Sequence, residues 1–294
     1  MRILAVAFVV ASIASISTAQ APPVILHPSA PAPGAIVRIS FNGSGDSRDS
    51  IVDVTGRMSG EPLHFHRASA GAWHATGAVS PDAKGEATAI VVILRASGKT
   101  DSLTASGRIP LPAPSPANRH PLAVSSRFTQ PLDEETQKRI DRENVTAREI
   151  GTRSHDTPTL WTTPFIHPRK SVITSPFGSG RMFNGTLTSR HLGVDFRGKT
   201  GEPIVAANRG VVALVDNFFL AGNVVYIDHG RGIVTAYFHM SKTLVAAGDT
   251  VERGQKIGLV GSTGRVTGPH LHWSARYGAV TVNPLDLFSL GNGW

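Results

Sequence analysis

Near the C-terminus, Val266-Thr267-Gly268-Pro269-His270-Leu271-His272-Trp273 places two imidazoles one residue apart, directly after a Gly-Pro break. Successive strand side chains alternate sides, so on a strand His270 and His272 face one space. Imidazole is both a common metal ligand and a good general acid or base, and a same-face pair can supply one of each. His-x-His alone is a weak signal. His64 and His66 repeat it around Phe65 with no acidic or histidine cluster after them, and those two read as surface residues of a half-buried strand. The C-terminal pair differs because His191, Asp195 and His239 stand upstream of it.

His191-Leu192-Gly193-Val194-Asp195 sets an imidazole and a carboxylate four apart, a ligand mixture that zinc accepts. On an ideal strand their Cα atoms would lie roughly 13 Å apart, too far to share one ion held at ~2.0–2.2 Å from each donor. A bend must intervene, and Gly193 is where the backbone can make it. Gly193, Val194 and Phe196 argue against a helix here. One histidine of the C-terminal pair then completes two nitrogens and one oxygen. Three protein ligands leave a position for water, as in catalytic rather than structural zinc sites.

The elements that must position these residues follow from the rest of the chain. Met1-Arg2, an apolar run from Ile3 to Ile13 and small residues from Ala14 to Ala21 have the layout of a secretory signal peptide over residues 1–19. Cleavage is expected after Ala19, with Ser17 and Ala19 as the small residues; a cut after Ala21 would leave Pro22 first. The 294 residues include no cysteine, which excludes a disulfide, a Cys-based zinc site and a lipid-modified cysteine. No later stretch reaches the roughly 20 apolar residues of a transmembrane helix. The expectation is a periplasmic or secreted protein without an integral membrane segment. Its +8 formal charge draws it to polyanions, which in that compartment are wall polymers and lipid headgroups rather than nucleic acid.

The chain reads as mainly β, in two domains. Over residues 20–112, short strands such as Ala35–Phe41, Ile51–Val54 and Thr88–Leu94 alternate with Gly, Ser, Asp and Pro clusters, which suggests an immunoglobulin-like β-sandwich. Residues 113–163 form a Pro-rich and helical linker. In it, the charged run Asp133–Glu143 leads with acids and offers Glu134 to Lys138 as an i,i+4 pair, predicting an exposed helix to about Ile150 that acts as a solvated spacer. Residues 164–294 are again strand-rich. Asp228-His229-Gly230-Arg231-Gly232 reads as a hairpin turn containing His229, and Asp249–Gln255 as the turn-and-strand element of small barrel-sandwich folds, here without a modifiable lysine.

Four segments carry a resemblance: Ser175-Pro176-Phe177-Gly178, Ser189-Arg190-His191-Leu192-Gly193-Val194-Asp195-Phe196, Tyr237-Phe238-His239-Met240, and Gly261-Ser262-Thr263-Gly264-Arg265 through His272. Together they resemble the lysostaphin/LytM-type zinc endopeptidases that cut peptidoglycan peptides, over about Val172 to Leu287. The resemblance implies a C-terminal antiparallel β-sheet of barrel-sandwich, duplicated-hybrid-motif type with its site in a groove. It further implies Zn2+ held by His191, Asp195 and His272, with His239 and His270 as unliganded catalytic histidines. Tyr-Phe-His-Met stands where the family usually has Tyr-Ala-His-Leu, a departure that keeps the histidine. Arg181 and Asn184, in the loop before His191, are candidate groove residues. The implied partner is a peptidoglycan peptide, acted on by a monomer. Two other readings are weighed. A wall-binding activator of other hydrolases would require a lost ligand, and none is lost; a histidine phosphocarrier would be cytoplasmic, against the signal peptide. An N-terminal region that restrains the enzyme is a further expectation.

Overall fold

The structure is a computed structural model that describes residues 23–43, 50–68, 71–110, 122–185 and 187–291. Residues 1–19, expected to be a signal peptide, and the Pro-rich run at 111–116 lie outside the described residues.

Alternation builds the N-terminal domain. Along Glu86–Arg95, Ala87, Ala89, Val91 and Ile93 are buried while Glu86, Thr88 and Ile90 are exposed, the period-two pattern of a strand with one face on a core. Two four-stranded antiparallel sheets result. One orders Ile25–His27, Ile36–Asn42, Ala72–Ala78 and His66–Arg67; the other orders Glu61–Pro62, Ile51–Met58, Glu86–Arg95 and Thr100–Arg108. Ile39, Phe41, Met58, Val91 and Ile93 fill the space between them, so this domain is the β-sandwich expected.

The linker helix spans Glu134–Ser154. Asp133 caps it by accepting the Thr136 N–H at 2.7 Å, and Glu134 pairs with Lys138 as the charge order predicts. It is not a solvated spacer, and it ends at Ser154 rather than Ile150. Ile140, Ala147 and Ile150 recur at helical spacing and are buried, the last two against Phe218, Val224, Tyr226 and Ala236 of the C-terminal sheet. Polar contacts hold the same face down: Glu143 accepts the Phe219 N–H at 2.9 Å, and Arg139 donates to the Asn217 carbonyl at 2.6 Å.

The C-terminal domain centres on an eight-stranded antiparallel sheet. Its order is Thr250–Val251, Gly210–Phe218, Gly222–Gly230, Ile233–Met240, His270–Tyr277, Val194–Arg197 and Ile173–Ser175, with Val280–Val282 also paired to His270–Tyr277. The middle strand Ile233–Met240 is buried on both faces. Val234 and Ala236 pack toward the helix; Ile233 and Tyr237 face a core completed by Ile204 and Ile257 of a separate three-stranded sheet. Covering both faces makes the run apolar throughout rather than alternating. His229 is a strand residue, not the turn residue expected. It is fully buried, donates Nδ1–H to the Arg209 carbonyl at 2.8 Å and meets the Thr235 hydroxyl through Nε2 at 2.8 Å. The chain reverses one residue later, where Gly230, Arg231 and Gly232 all take positive φ.

The two domains share a polar joint. His155, just past the helix, bridges Glu61 at 2.9 Å and His64 at 2.8 Å, while Glu61 also accepts the Ala279 N–H at 3.1 Å. His64 is therefore part-buried and bonded rather than a surface residue; His66 is exposed. Ile36 and Ala78 of the sandwich enter the C-terminal core directly.

Candidate metal centre

Strand register brings the site together. Val194–Arg197 runs antiparallel to His270–Tyr277 with Asp195 opposite His272, and Phe238 on the other neighbouring strand also pairs with His272. His191 sits just after the Leu187–Arg190 strand. The chain turns between it and Asp195, at Gly193, as the spacing requires. The physical reason differs from the one expected: Gly193 does not use left-handed φ, but a Cβ on it would stand 2.4 Å from His272 Nε2. Glycine is needed there for close approach of the imidazole.

Three donor atoms form a small triangle. His191 Nε2 lies 3.0 Å from Asp195 Oδ1 and 2.9 Å from His272 Nδ1, and His272 Nδ1 lies 2.8 Å from Asp195 Oδ1. All three residues are buried, and together they can hold a metal ion. The outer contacts suit that role. His191 Nδ1 faces the Pro176 carbonyl at 3.0 Å, which can only accept, so Nδ1 carries the hydrogen and Nε2 presents its lone pair. Burial pushes the His272 imidazole down to about 4, against the hydrogen bond and charge of Asp195, leaving it neutral as a ligand must be. Burial works to raise Asp195, but its hydrogen bonds to His191 and His272 outweigh that and hold the carboxyl well below its usual range. Phe238 stacks on His272 with centroids 5.2 Å apart.

Two further imidazoles face the triangle. His239 is buried, takes a left-handed φ of 62°, and donates Nδ1–H to the Thr263 carbonyl at 2.8 Å. Backbone strain of this kind persists only where the surroundings impose it. Burial, then the charges of His270 and His272, push His239 well below its ordinary value. His270 donates Nδ1–H to the Gly268 carbonyl at 2.9 Å; its buried Nε2 has no hydrogen-bond partner among the described residues and lies 3.6 Å from Asp195 Oδ1. The two rings are 4.9 Å apart. Each carbonyl fixes one tautomer, so both histidines turn the Nε2 lone pair away from the backbone.

Arg181 joins the site through the Asp195 carboxylate: its guanidinium makes a close ion pair with Asp195 Oδ2 and donates to Ser175 Oγ at 3.3 Å. Asn184, the other candidate groove residue, is elsewhere. It is exposed, accepts the Val124 N–H and donates to the Val124 carbonyl and Thr129 hydroxyl, each at 3.0 Å, and so pins the linker to the loop. The Pro176, Thr263 and Gly268 carbonyls that set the tautomers leave no side-chain signal in the sequence. Only the density of Gly in 261–268 marks the loop that supplies two of them.

Residues 189–284 match the model of Peptidase family M23. The chain is 52% identical over 102 residues to the peptidoglycan DD-endopeptidase ShyA of Vibrio cholerae, over 34% of this chain and 24% of that protein. It is 42% identical over 125 residues to the DD-carboxypeptidase/endopeptidase Mpg of Neisseria meningitidis, over 42% of this chain and 28% of that protein. The chain thus spans about a quarter of the length of these two relatives. The crystal structure of an M23 peptidase candidate from Pseudomonas aeruginosa superposes with a TM-score of 0.64 at 27% identity, covering 88% of this chain and 95% of that one. That likeness takes in the N-terminal sandwich as well as the metal-binding domain. Residues 189–284 thus carry the domain of peptidase family M23, a family of metallopeptidases.

Proposed function

We propose that the protein is an exported zinc endopeptidase that hydrolyses peptide crosslinks of peptidoglycan. One observation carries the reading: the His191–Asp195–His272 triangle has two more imidazoles, His239 and His270, facing it with their Nε2 atoms free of backbone partners. Two neutral nitrogens and one carboxylate oxygen suit zinc and leave an open position. Zinc bound there supplies a Lewis acid for the scissile carbonyl and a water acidic enough to be a nucleophile near neutral pH. His239 and His270 hold acceptor lone pairs where an attacking water must lose a proton, and once protonated either can hydrogen-bond an oxyanion or return the proton to a leaving amine. Arg181 fixes Oδ2 of Asp195 in an ion pair, so that Oδ1 stays turned to the triangle. The names of the relatives support a wall-peptide substrate, and the leader-like residues 1–19 support export to the periplasm or beyond.

Digestion of purified peptidoglycan by the zinc-loaded protein, followed by mass spectrometry of the released fragments, tests this. Crosslinked dimers should convert to monomers, and chelation should stop the conversion. Dimers that persist while zinc is bound in full would overturn the proposal.

A further inference from the structure

A cavity of about 380 Å³ opens beside Asp195 and His270, and three arginines line it: Arg181, Arg197 and Arg265. The three are not equivalent. Arg181 is taken up by Asp195. Arg265 lies with its guanidinium 4.4 Å over the Phe183 ring and has no acidic side-chain partner among the described residues; its backbone N–H alone is bonded, to the Leu220 carbonyl at 2.8 Å. Arg197 is exposed at the cavity edge, and its carbonyl accepts from Arg169 at 2.7 Å while its side chain has no partner among the described residues. Arg95, Arg139 and Arg169 are also part-buried and pair with Asp101, Glu143 and Glu202, and the part-buried Arg276 donates to the Thr281 hydroxyl and the Ala279 carbonyl; the Arg265 guanidinium has no such acceptor among the described residues.

A desolvated guanidinium without an anion is costly, and a second cation nearby adds to the cost. Burial, and then the Arg181 charge, push Arg265 below its ordinary value, as that cost requires. A protein retains such an arrangement beside a reacting centre where a bound anion relieves it. At about 380 Å³ the cavity is at the small end of ligand pockets, which run from about 300 to 1,000 Å³, so it suits one charged group rather than a length of polymer. It begins at His270 and Asp195, so the group it takes lies close to the scissile amide.

We propose that Arg265, helped by Arg197 at the edge, forms a carboxylate-binding subsite. It takes the free carboxylate of the residue next to the bond that is cut. The inference rests on the peptidase reading above and sharpens its substrate class: crosslinks whose flanking residue is a free acid are preferred over those in which it is a carboxamide. Planar guanidinium matches carboxylate in a two-point fork, and such charge-assisted bonds discriminate well against a neutral isostere.

The test uses two synthetic crosslinked peptides that differ only in that group, acid or amide. Equilibrium binding to the metal-free protein is measured by fluorescence anisotropy, and kcat/KM on the zinc-loaded protein, for the wild type, Arg265→Gln and Arg265→Lys. The wild type should bind the acid about tenfold or more tighter than the amide. Arg265→Gln should lose that margin while its binding of the amide, its zinc content and its melting temperature stay at wild-type levels. Arg265→Lys should recover part of it. Equal binding of acid and amide by the wild type, or equal weakening of both by Arg265→Gln, would overturn the subsite. Cleavage of both peptides at one rate would sink the subsite and leave the peptidase reading intact. Discrimination in binding with neither peptide cleaved would sink the peptidase reading and leave the subsite standing.

Discussion

The molecule contains two buried clusters made from the same parts, a carboxylate with histidines, and they differ in how the polar atoms are used. At the domain joint the contacts run in a line. Glu61 meets His155 Nε2, His155 Nδ1 meets His64 Nε2, and His64 Nδ1 faces Arg231 at 3.4 Å. Each ring nitrogen has its own partner, and the cluster is satisfied as it stands. At the metal centre His191 Nε2, Asp195 Oδ1 and His272 Nδ1 converge on one point, and two more Nε2 atoms face it from His239 and His270. Residue types alone therefore do not mark a reactive site. Converging lone pairs with fixed tautomers do, because only they can hold an ion and move a proton.

Removing one member should separate the clusters most sharply. Asp195→Ala or His272→Ala takes one of three ligands from a site with no spare, and turnover should fall by at least about 10³-fold together with zinc content. Elemental analysis of the purified variants alongside the digestion assay checks both. A full equivalent of zinc in His272→Ala would move the ligand role to His270.

A smaller loss is expected from the two free imidazoles. His239→Ala and His270→Ala should keep zinc yet lose turnover by about 10²–10³-fold, the range for removing a positioned acid, base or oxyanion donor. The split between metal content and rate is the informative readout. Zinc loss in either variant would show a ligand where a proton carrier is assigned.

The contrast between the clusters also explains what could be read from the sequence. Strand alternation predicts that His270 and His272 share a face, and the four-residue spacing of His191 and Asp195 predicts a bend at Gly193; the structure brings all four together with His239. Those are local rules acting on strands that pair side by side. The joint is made by residues 61, 64 and 155, far apart in the chain, and nothing local in His64 announces a partner on the linker. The same limit hid the docking face of the Glu134–Ser154 helix, where Ile140, Ala147 and Ile150 are few among charges. Asp-His-Gly reads as turn chemistry, while the bonds that hold His229 in a buried strand come from Arg209 and Thr235. The place of Asn184 in the chain, shortly before His191, points to the groove, whereas its side chain serves residues 124 and 129.

If the joint is purely structural, breaking it should cost stability and not chemistry. Glu61→Ala leaves His155 Nε2 and the Ala279 N–H without their acceptor in a buried place. A loss of about 2–3 kcal/mol is expected for such orphaned groups, read as a lower midpoint in urea. Rate per bound zinc should stay within about twofold. A large fall in that rate would mean that the sandwich and joint hold the active geometry, and would merge the two clusters into one functional unit.

The smallest effect concerns protons on a histidine that belongs to neither cluster. Burial pushes His229 down to about 4, with the Arg209 carbonyl and Asp228 only partly opposing it. The unfolded chain, whose histidines titrate near 6.5, therefore binds more protons than the folded one between these values. Stability from this residue is complete above about pH 6.5 and is lost progressively as pH falls toward 4. One pH unit within the window is worth about 1 kcal/mol for a single such histidine. Melting temperatures of chelator-treated protein should then decline from pH 6.5 to 5.5, and His229→Gln should show a shallower decline whatever its melting temperature at neutral pH. The slope, not the absolute value, isolates the proton from the lost hydrogen bonds. An NMR titration placing the His229 ring near 6.5 in the folded protein would remove the effect.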